Sequence, residues 1–543
     1  MGDSKFLRGT MIMSLSTFLS KFLGMIYVFP FVALVGNQGM ALYQYGYLPY
    51  TLLLSLATLG VPMAVSKFIS KYNALGDYRT GQRLFQSGLI FMTITGFIAF
   101  ILLFMMAPTV AGWIISDPDD LSGNALSDVV FTIRMVSVAL LIIPAMAVIR
   151  GYFQGFQSMG PTAVSQVVEQ IVRIIFILSM AYSILYIWDG ELGTAVGFAT
   201  FGAFVGGIGA LAVLLYYWKK RKHFINKKIE ESTVDHNISL PSMYKELISY
   251  ALPISFVGLA IPLFQLVDLF SFNNALINSG AFIQGEAETA FGAYSGSAHK
   301  LILIPVALAT AMSVTLIPTI TNSFTNKDHK LLQSQITQTY QIILFLSIPA
   351  AVGLSILSYP SFGVLFGFED VSVGGYILRY YAPVAIFFSL FSVTAAILQG
   401  MNLQKFAVVS LTIGVVLKLS LNYWFVFIMG PVGSIMATYI GYAAAITINV
   451  WAIGKYAKYD YTLLVKRFGL IVVLVAVMGI AVWIVQGGAM VLFPLDSWFN
   501  AFLILAFSVF TGGVLYLAAS MKTGLAGKVL GHRFSILKTG DKS

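Results

Sequence analysis

The chain has 543 residues, of which 58% are hydrophobic and only 10% charged, with a mean hydropathy of +0.85, a formal net charge of +10 and no cysteine. A soluble protein of this length needs far more polar surface, so the composition implies a polytopic membrane protein. The missing cysteine excludes disulfides and thiolate chemistry, and the basic excess does not indicate nucleic acid, because Lys and Arg fall in short loops between apolar runs.

The first apolar run follows Lys5 and Arg8, is too long for a signal-peptide core and has no small-residue cleavage site after it, so it reads as a first span. A span needs about 20 mostly apolar residues. Fourteen are expected: 10–35, 46–68, 86–110, 131–150, 161–187, 193–218, 247–272, 291–320, 335–359, 374–398, 406–428, 431–454, 468–486 and 498–520. This layout puts 26 of the 32 basic residues in loops on one side, including Arg150, Lys245 and the cluster Lys219, Lys220, Arg221, Lys222, Lys227 and Lys228. The opposite loops carry acids instead, among them Asp119, Asp120, Glu286, Glu288, Glu369, Asp370 and Asp496. One misplaced span would invert every later loop. The agreement therefore supports the count and predicts that both termini are cytoplasmic.

The polar stretch 219–246 reads as a cytoplasmic connection between two similar halves. Gln154-Gly155 returns 245 residues later as Gln399-Gly400, and at that spacing Ser165 meets Ser410, Arg134 meets Arg379, and Arg173 meets Lys418. Asp77 and Arg79 find Asp328 and Lys330 at a slightly different spacing. Repeats of six helices share one orientation, a transporter arrangement. The expected organisation is 1–220, a linker over 221–246, a second half over 247–460, and 461–543 with two added helices and a C-terminal tail.

Six basic residues lie within or at the ends of spans: Lys21, Arg134, Arg173, Lys300, Arg379 and Lys418. Arg134 and Arg379 begin their spans, where snorkelling to the interface accounts for them. Near mid-bilayer a charge costs at least roughly 2.5–3.5 kcal/mol, so the others need a partner, water or a substrate. Glu169 and Arg173 are spaced to pair along one helix face, either as a self-neutralising pair between helices or as part of a site. Lys21 and Lys300 have no acid close in sequence. They point to an anion site suited to phosphate, unless Asp268 neutralises one of them. The tyrosine-rich LYQYGYLPY at 42–50 is either an interfacial belt or a surface on which a sugar or prenyl chain stacks. No GxxxxGK[ST] loop and no soluble catalytic domain are present. No cofactor is therefore expected, and any energy would come from an ion gradient or the membrane potential.

The stretch YQYGYLPYTLLLSLATLGVPMAVSKFISKYNALGDY at 43–78, with QGFQSMGPTAVSQVVEQIVRI at 154–174, resembles the polysaccharide-transporter branch of the MOP superfamily. Within it the chain is similar to the MurJ-type lipid II flippases, with the sporulation protein SpoVB a near cousin. The resemblance implies an all-α fold of 14 transmembrane helices, with two six-helix lobes in a V and two extra C-terminal helices forming a groove for a lipid tail. It implies a cationic cavity lined by helices one, two, seven and eight. The first-helix pattern stands here as Lys21-Phe22-Leu23-Gly24 and the eighth-helix base as Lys300 ahead of Pro305. These two carry over as pyrophosphate ligands, with His299 nearby and Asp268 balancing charge or coordinating a cation. The chain departs from well-known relatives in having Tyr27 where a second Arg stands, and no Arg after Leu48-Pro49. The cavity is then less basic and more aromatic. Arg173 and Lys418, on helices five and eleven, complete the candidate substrate-binding set.

The implied activity is that of a monomeric flippase in the bacterial cytoplasmic membrane, not an enzyme. It would move an undecaprenyl-pyrophosphate-linked oligosaccharide, lipid II, between leaflets by alternating access. The alternatives are a flippase for teichoic acid, capsule or spore-cortex saccharides, and a cation-coupled multidrug exporter, which would have an acid-rich cavity.

Overall fold

The computed structural model describes residues 2–58, 60–117, 120–232, 241, 252 and 255–530, and no strand occurs among them. Asp119, Lys245, Pro253, much of the expected linker, the start of the seventh expected span and the basic tail after residue 530 lie outside the described residues. The helices run α1 (Gly2–Ile26), α2 (Val28–Thr58), α3 (Val61–Ala74), α4 (Tyr78–Ile114), α5 (Leu126–Ser137), α6 (Ile143–Gly155), α7 (Met159–Tyr182) and α8 (Leu192–Glu230). They continue as α9 (Ala260–Asn278), α10 (Gln284–Phe291), α11 (His299–Thr325), α12 (His329–Ile356), α13 (Ser358–Phe366), α14 (Val371–Tyr381) and α15 (Val384–Gly400). The last are α16 (Gln404–Met429), α17 (Pro431–Ala457), α18 (Thr462–Leu492), α19 (Trp498–Lys522) and the short α20 (Leu525–Leu530).

Twelve of the described helices are long and apolar enough to cross a membrane, or thirteen if α14 and α15, bent by 41° at their junction, form one span. The expected fourteen is not reached by length and hydropathy alone. The difference lies at the start of the chain, where one candidate runs 44 residues from Leu15 to Thr58. At 1.5 Å per residue that is about twice the hydrocarbon thickness. The chain turns inside it at Gly36, whose φ of 67° is left-handed. The expected loop between 35 and 46 is therefore helical, and the second expected span is interrupted. Gly60, at φ 69°, ends it, and Pro62 opens α3, where a missing N–H costs nothing. The basic run at 219–228 also differs from the expected linker: it continues α8 to Glu230. Lys and Arg are good helix formers and no Gly or Pro interrupts them.

The described chain forms two compact units, one of residues 1–274 with 283–288, the other of 275–282 with 289–543. Details inside each unit repeat. Asp77 caps α4 by accepting a hydrogen bond from the Thr80 N–H at 2.9 Å, and Asp328 caps α12 from the Leu331 N–H at 3.0 Å. Gln157 and Asn402 both hold a left-handed φ, 55° and 59°, just after their Gln-Gly pairs. A Cβ on Gly155 would stand 2.7 Å from Ile69 Cβ, and one on Gly400 would stand 2.8 Å from Ile320 Cβ. Each Gln-Gly pair thus ends a helix that lies directly on α3 or α11. Alanine at Gly155 or at Gly400 is expected to cost about 1–3 kcal/mol through overpacking. Thermal melting of the purified variants measures it; an unchanged midpoint in both would refute the close contact.

Candidate functional site

The first unit gathers one set of charges. The short connection Phe156–Ser158 folds α7 back along α6, so that Arg150 reaches Glu169. Glu169 joins two arginines: Oε2 accepts from Arg150 at 2.8 Å and Oε1 from Arg173 at 3.0 Å. Arg150 Nε also donates to Ser165 Oγ at 2.9 Å. All three charged side chains are only 12–15% exposed. The pairing of Glu169 with Arg173 was legible from their spacing. Arg150 was not, because its position suggested a loop. Two guanidiniums share one carboxylate, so the cluster carries an excess positive charge. The Nε of Arg173 is buried and makes no hydrogen bond.

An aromatic wall stands against this charge. Tyr27, at the junction of α1 and α2, donates to Tyr43 Oη at 3.3 Å. Phe31 and Tyr43 meet edge to face at 5.2 Å, Tyr43 stacks on Tyr47 at 5.5 Å, and Tyr47 leans on Tyr50 at 5.6 Å. The Arg173 guanidinium lies within electrostatic reach of the hydroxyls of Tyr47, Tyr50 and Tyr43. The tyrosine-rich stretch is therefore an internal wall of the first unit, where a surface belt was the simpler expectation. Lys21 sits on α1, which packs on α7. It is exposed, and its amine has no ion pair or hydrogen bond among the described residues. Asp268, on α9, is 1% exposed and engaged by neighbouring groups.

At the other end of this unit, Glu288 is buried and accepts from the backbone and side-chain nitrogens of Asn124, both at 2.7 Å, and from Gln284 at 2.8 Å. Asp120 accepts from the backbone N–H groups of Ser122 and Gln284, each at 2.9 Å. Those N–H groups hold its carboxyl below the usual carboxylate range. A lowered pKa stabilises the fold above the unfolded value of about 4, and the contribution is lost as pH falls through the folded value. Asp120→Ala should therefore melt below wild type near neutral pH and converge with it as the pH drops below about 4. A gap that persists at low pH would contradict the ionised-acceptor role.

The second unit holds the other candidates. The chain leaves α10 through a π-helical stretch, Gly292–Ala298, every residue of which is buried. Such bulges often mark functional positions. Here the stretch presents His299 and Lys300 at the start of α11. His299 Nδ1 hydrogen-bonds Tyr381 Oη at 2.8 Å, and the Tyr381 ring packs on Tyr294 at 4.7 Å. Lys300 is half-buried and, like Lys21, has no ion pair or hydrogen bond among the described residues. Lys418 is placed differently. It is fully buried, and its ammonium donates to Ser434 O at 2.8 Å, Ser434 Oγ at 3.0 Å and Thr438 Oγ1 at 2.8 Å. Ser434 in turn donates to Tyr294 Oη at 3.3 Å. Lys418 is thus an internal cation braced against the stretch that presents Lys300. Among the described residues no three His, Asp or Glu side chains converge as a metal site would require.

Between α12 and the pair α18–α19 lies an apolar groove of about 600 Å³, lined by Phe345, Pro349, Gly353, Met478, Val482 and Gly512. Tyr516 turns its one polar atom away, donating to Phe345 O at 2.8 Å.

Long apolar helices in two internally similar units, with cations held inside them, define a multi-pass membrane transporter. Residues 6–324 match the family described as polysaccharide biosynthesis protein, and 253–424 match MatE. The chain is 48% identical over 535 residues, 98% of both chains, to the protein named lipid II flippase MurJ of Bacillus subtilis (strain 168). It is 25% identical to stage V sporulation protein B of the same organism, over 78% of each chain. Among solved structures, lipid II flippase MurJ in an inward closed conformation shares the fold, with a TM-score of 0.67 at 15% identity, covering 95% of this chain and 99% of that one. An inward-facing multidrug resistance MATE transporter of the MOP superfamily scores 0.65 at 16% identity, covering 81% and 96%. The chain belongs to the polysaccharide biosynthesis protein family, in its MurJ group.

Proposed function

We propose that this chain is a flippase that carries lipid II across the bacterial cytoplasmic membrane, making and breaking no bond. The observation that carries the reading is the 48% identity, over nearly all of both chains, to a protein of that name. The physical features fit it. Lys21 and Lys300 would bind the pyrophosphate as two cations with no partner of their own, and His299, fixed by Tyr381, would set the position of Lys300. The Tyr27 wall and the Arg173 cluster would face the sugar and the remaining charge, Asp268 would balance charge, and Lys418 would brace the second unit. The apolar groove would take the prenyl chain. The loop charges favour cytoplasmic termini, the 1–220 and 247–460 halves would alternate access, and the working unit would be a monomer.

Complementation tests the reading. Expression of this chain should restore growth to a strain depleted of its lipid II flippase, with lipid II no longer accumulating in the inner leaflet. Failure to rescue, with normal protein in the membrane and teichoic acid export restored in a matching mutant, would assign another lipid-linked saccharide.

A further inference from the structure

A second cavity, of about 660 Å³, opens in the second unit where the ends of α12 and α18 meet α13 and α14. Ser355, Tyr359, Arg379, Trp483, Gln486 and Gly487 line it. It adjoins the apolar groove: Ile356 of the cavity precedes Leu357 of the groove, and Trp483 follows Val482.

Two of its groups lack partners. The Arg379 side chain is exposed, with no ion pair or hydrogen bond to it among the described residues. Gln486 is 8% exposed and lines the cavity, and its amide makes no hydrogen bond among the described residues. Neither amide atom is sealed from solvent, so both are reached from the open space of the cavity. The counterpart of Arg379 in the first unit, Arg134, is occupied: its guanidinium lies 4.9 Å from the centre of the Phe104 ring. Snorkelling accounts for the position of Arg379, but not for a cavity that brings the Gln486 amide to the same space. Beyond Gln486, Gly487 and Gly488 have open space where side chains would begin.

Depth narrows the ligand. Arg379 lies eight residues after the first residue of α14, Val371, and Gln486 six before the last of α18, Leu492. At 1.5 Å per residue both sit about 9–12 Å below the helix ends, near the boundary of headgroups and chains. The loops at that end, 367–370 and 493–497, contain Glu369, Asp370 and Asp496 but no Lys or Arg, which marks the outer face. A guanidinium fork beside an amide suits phosphate oxygens, and the groove next to it offers room for one chain.

We propose that this cavity docks the phosphate of a single-chain polyprenyl phosphate or pyrophosphate at the outer face, with Arg379 and Gln486 as its ligands and the chain in the adjoining groove. The inference rests on the reading that the protein handles a prenyl-linked lipid. The test measures binding without transport, so its failure leaves that reading to complementation.

Undecaprenyl phosphate is titrated into the purified full chain in phosphatidylcholine nanodiscs, in a Lys21→Ala/Lys300→Ala background that removes the other anion site. Arg379→Gln should weaken binding by at least about tenfold, and Gln486→Leu by a smaller factor. Arg379→Lys should recover part of the loss, with melting temperatures unchanged in the absence of ligand. Phosphatidylglycerol and inorganic phosphate should compete weakly. Arg379→Gln binding within twofold of its parent would overturn the proposal, as would equal competition by phosphatidylglycerol or by inorganic phosphate.

Discussion

Alanine at Lys21, or at Lys300, is expected to abolish rescue of a flippase-depleted strain while protein levels stay normal. Neither amine donates to any described residue, so removing it breaks no ion pair or hydrogen bond within them. On the proposed reading, what it removes is a charge-assisted contact to an anion, worth about 1.5–3 kcal/mol, or roughly ten- to a hundredfold in affinity for each lysine. Arginine at either position should retain part of the activity. Rescue by both alanine variants would leave the anion-site assignment without support.

Glu169→Gln is expected to act through the fold instead. In the native chain one carboxylate holds Arg150 and Arg173 together, each within 3.0 Å. Without its charge, two largely buried guanidiniums face each other uncompensated, a change that costs about 3–5 kcal/mol where only one partner of a buried pair is removed. The purified variant should melt well below wild type and accumulate poorly. A second substitution, Arg173→Met, removes the stranded charge and should recover part of the loss, so the two changes should be strongly non-additive. Additive effects would mean that the triad is not the stabilising unit.

Much of this was readable before any coordinates. Apolar runs of bilayer length, and basic residues confined to alternate loops, gave the class and nearly all the helices. The repeat was legible because its anchor residues have physical duties. Asp77 and Asp328 cap helices, and Gly155 and Gly400 permit helix contact. What stayed hidden were contacts between positions far apart in sequence. Ser434 and Thr438 are unremarkable in a string, yet they cage the Lys418 ammonium. Tyr381 fixes His299 from 82 residues away. The break at Gly60 was missed because apolar residues surround it, so hydropathy passes over it, and the helix that resumes just past Gly36 was missed because Asn37-Gln38-Gly39 read as a loop.

The caged ammonium of Lys418 has one more implication. A positive charge that belongs to the chain cannot be diluted or exchanged by the salts of the medium. Replacing one alkali metal salt by another, or removing both, should leave the packing around Ser434 and Thr438 undisturbed, because its positive centre is a side chain and not a bound ion.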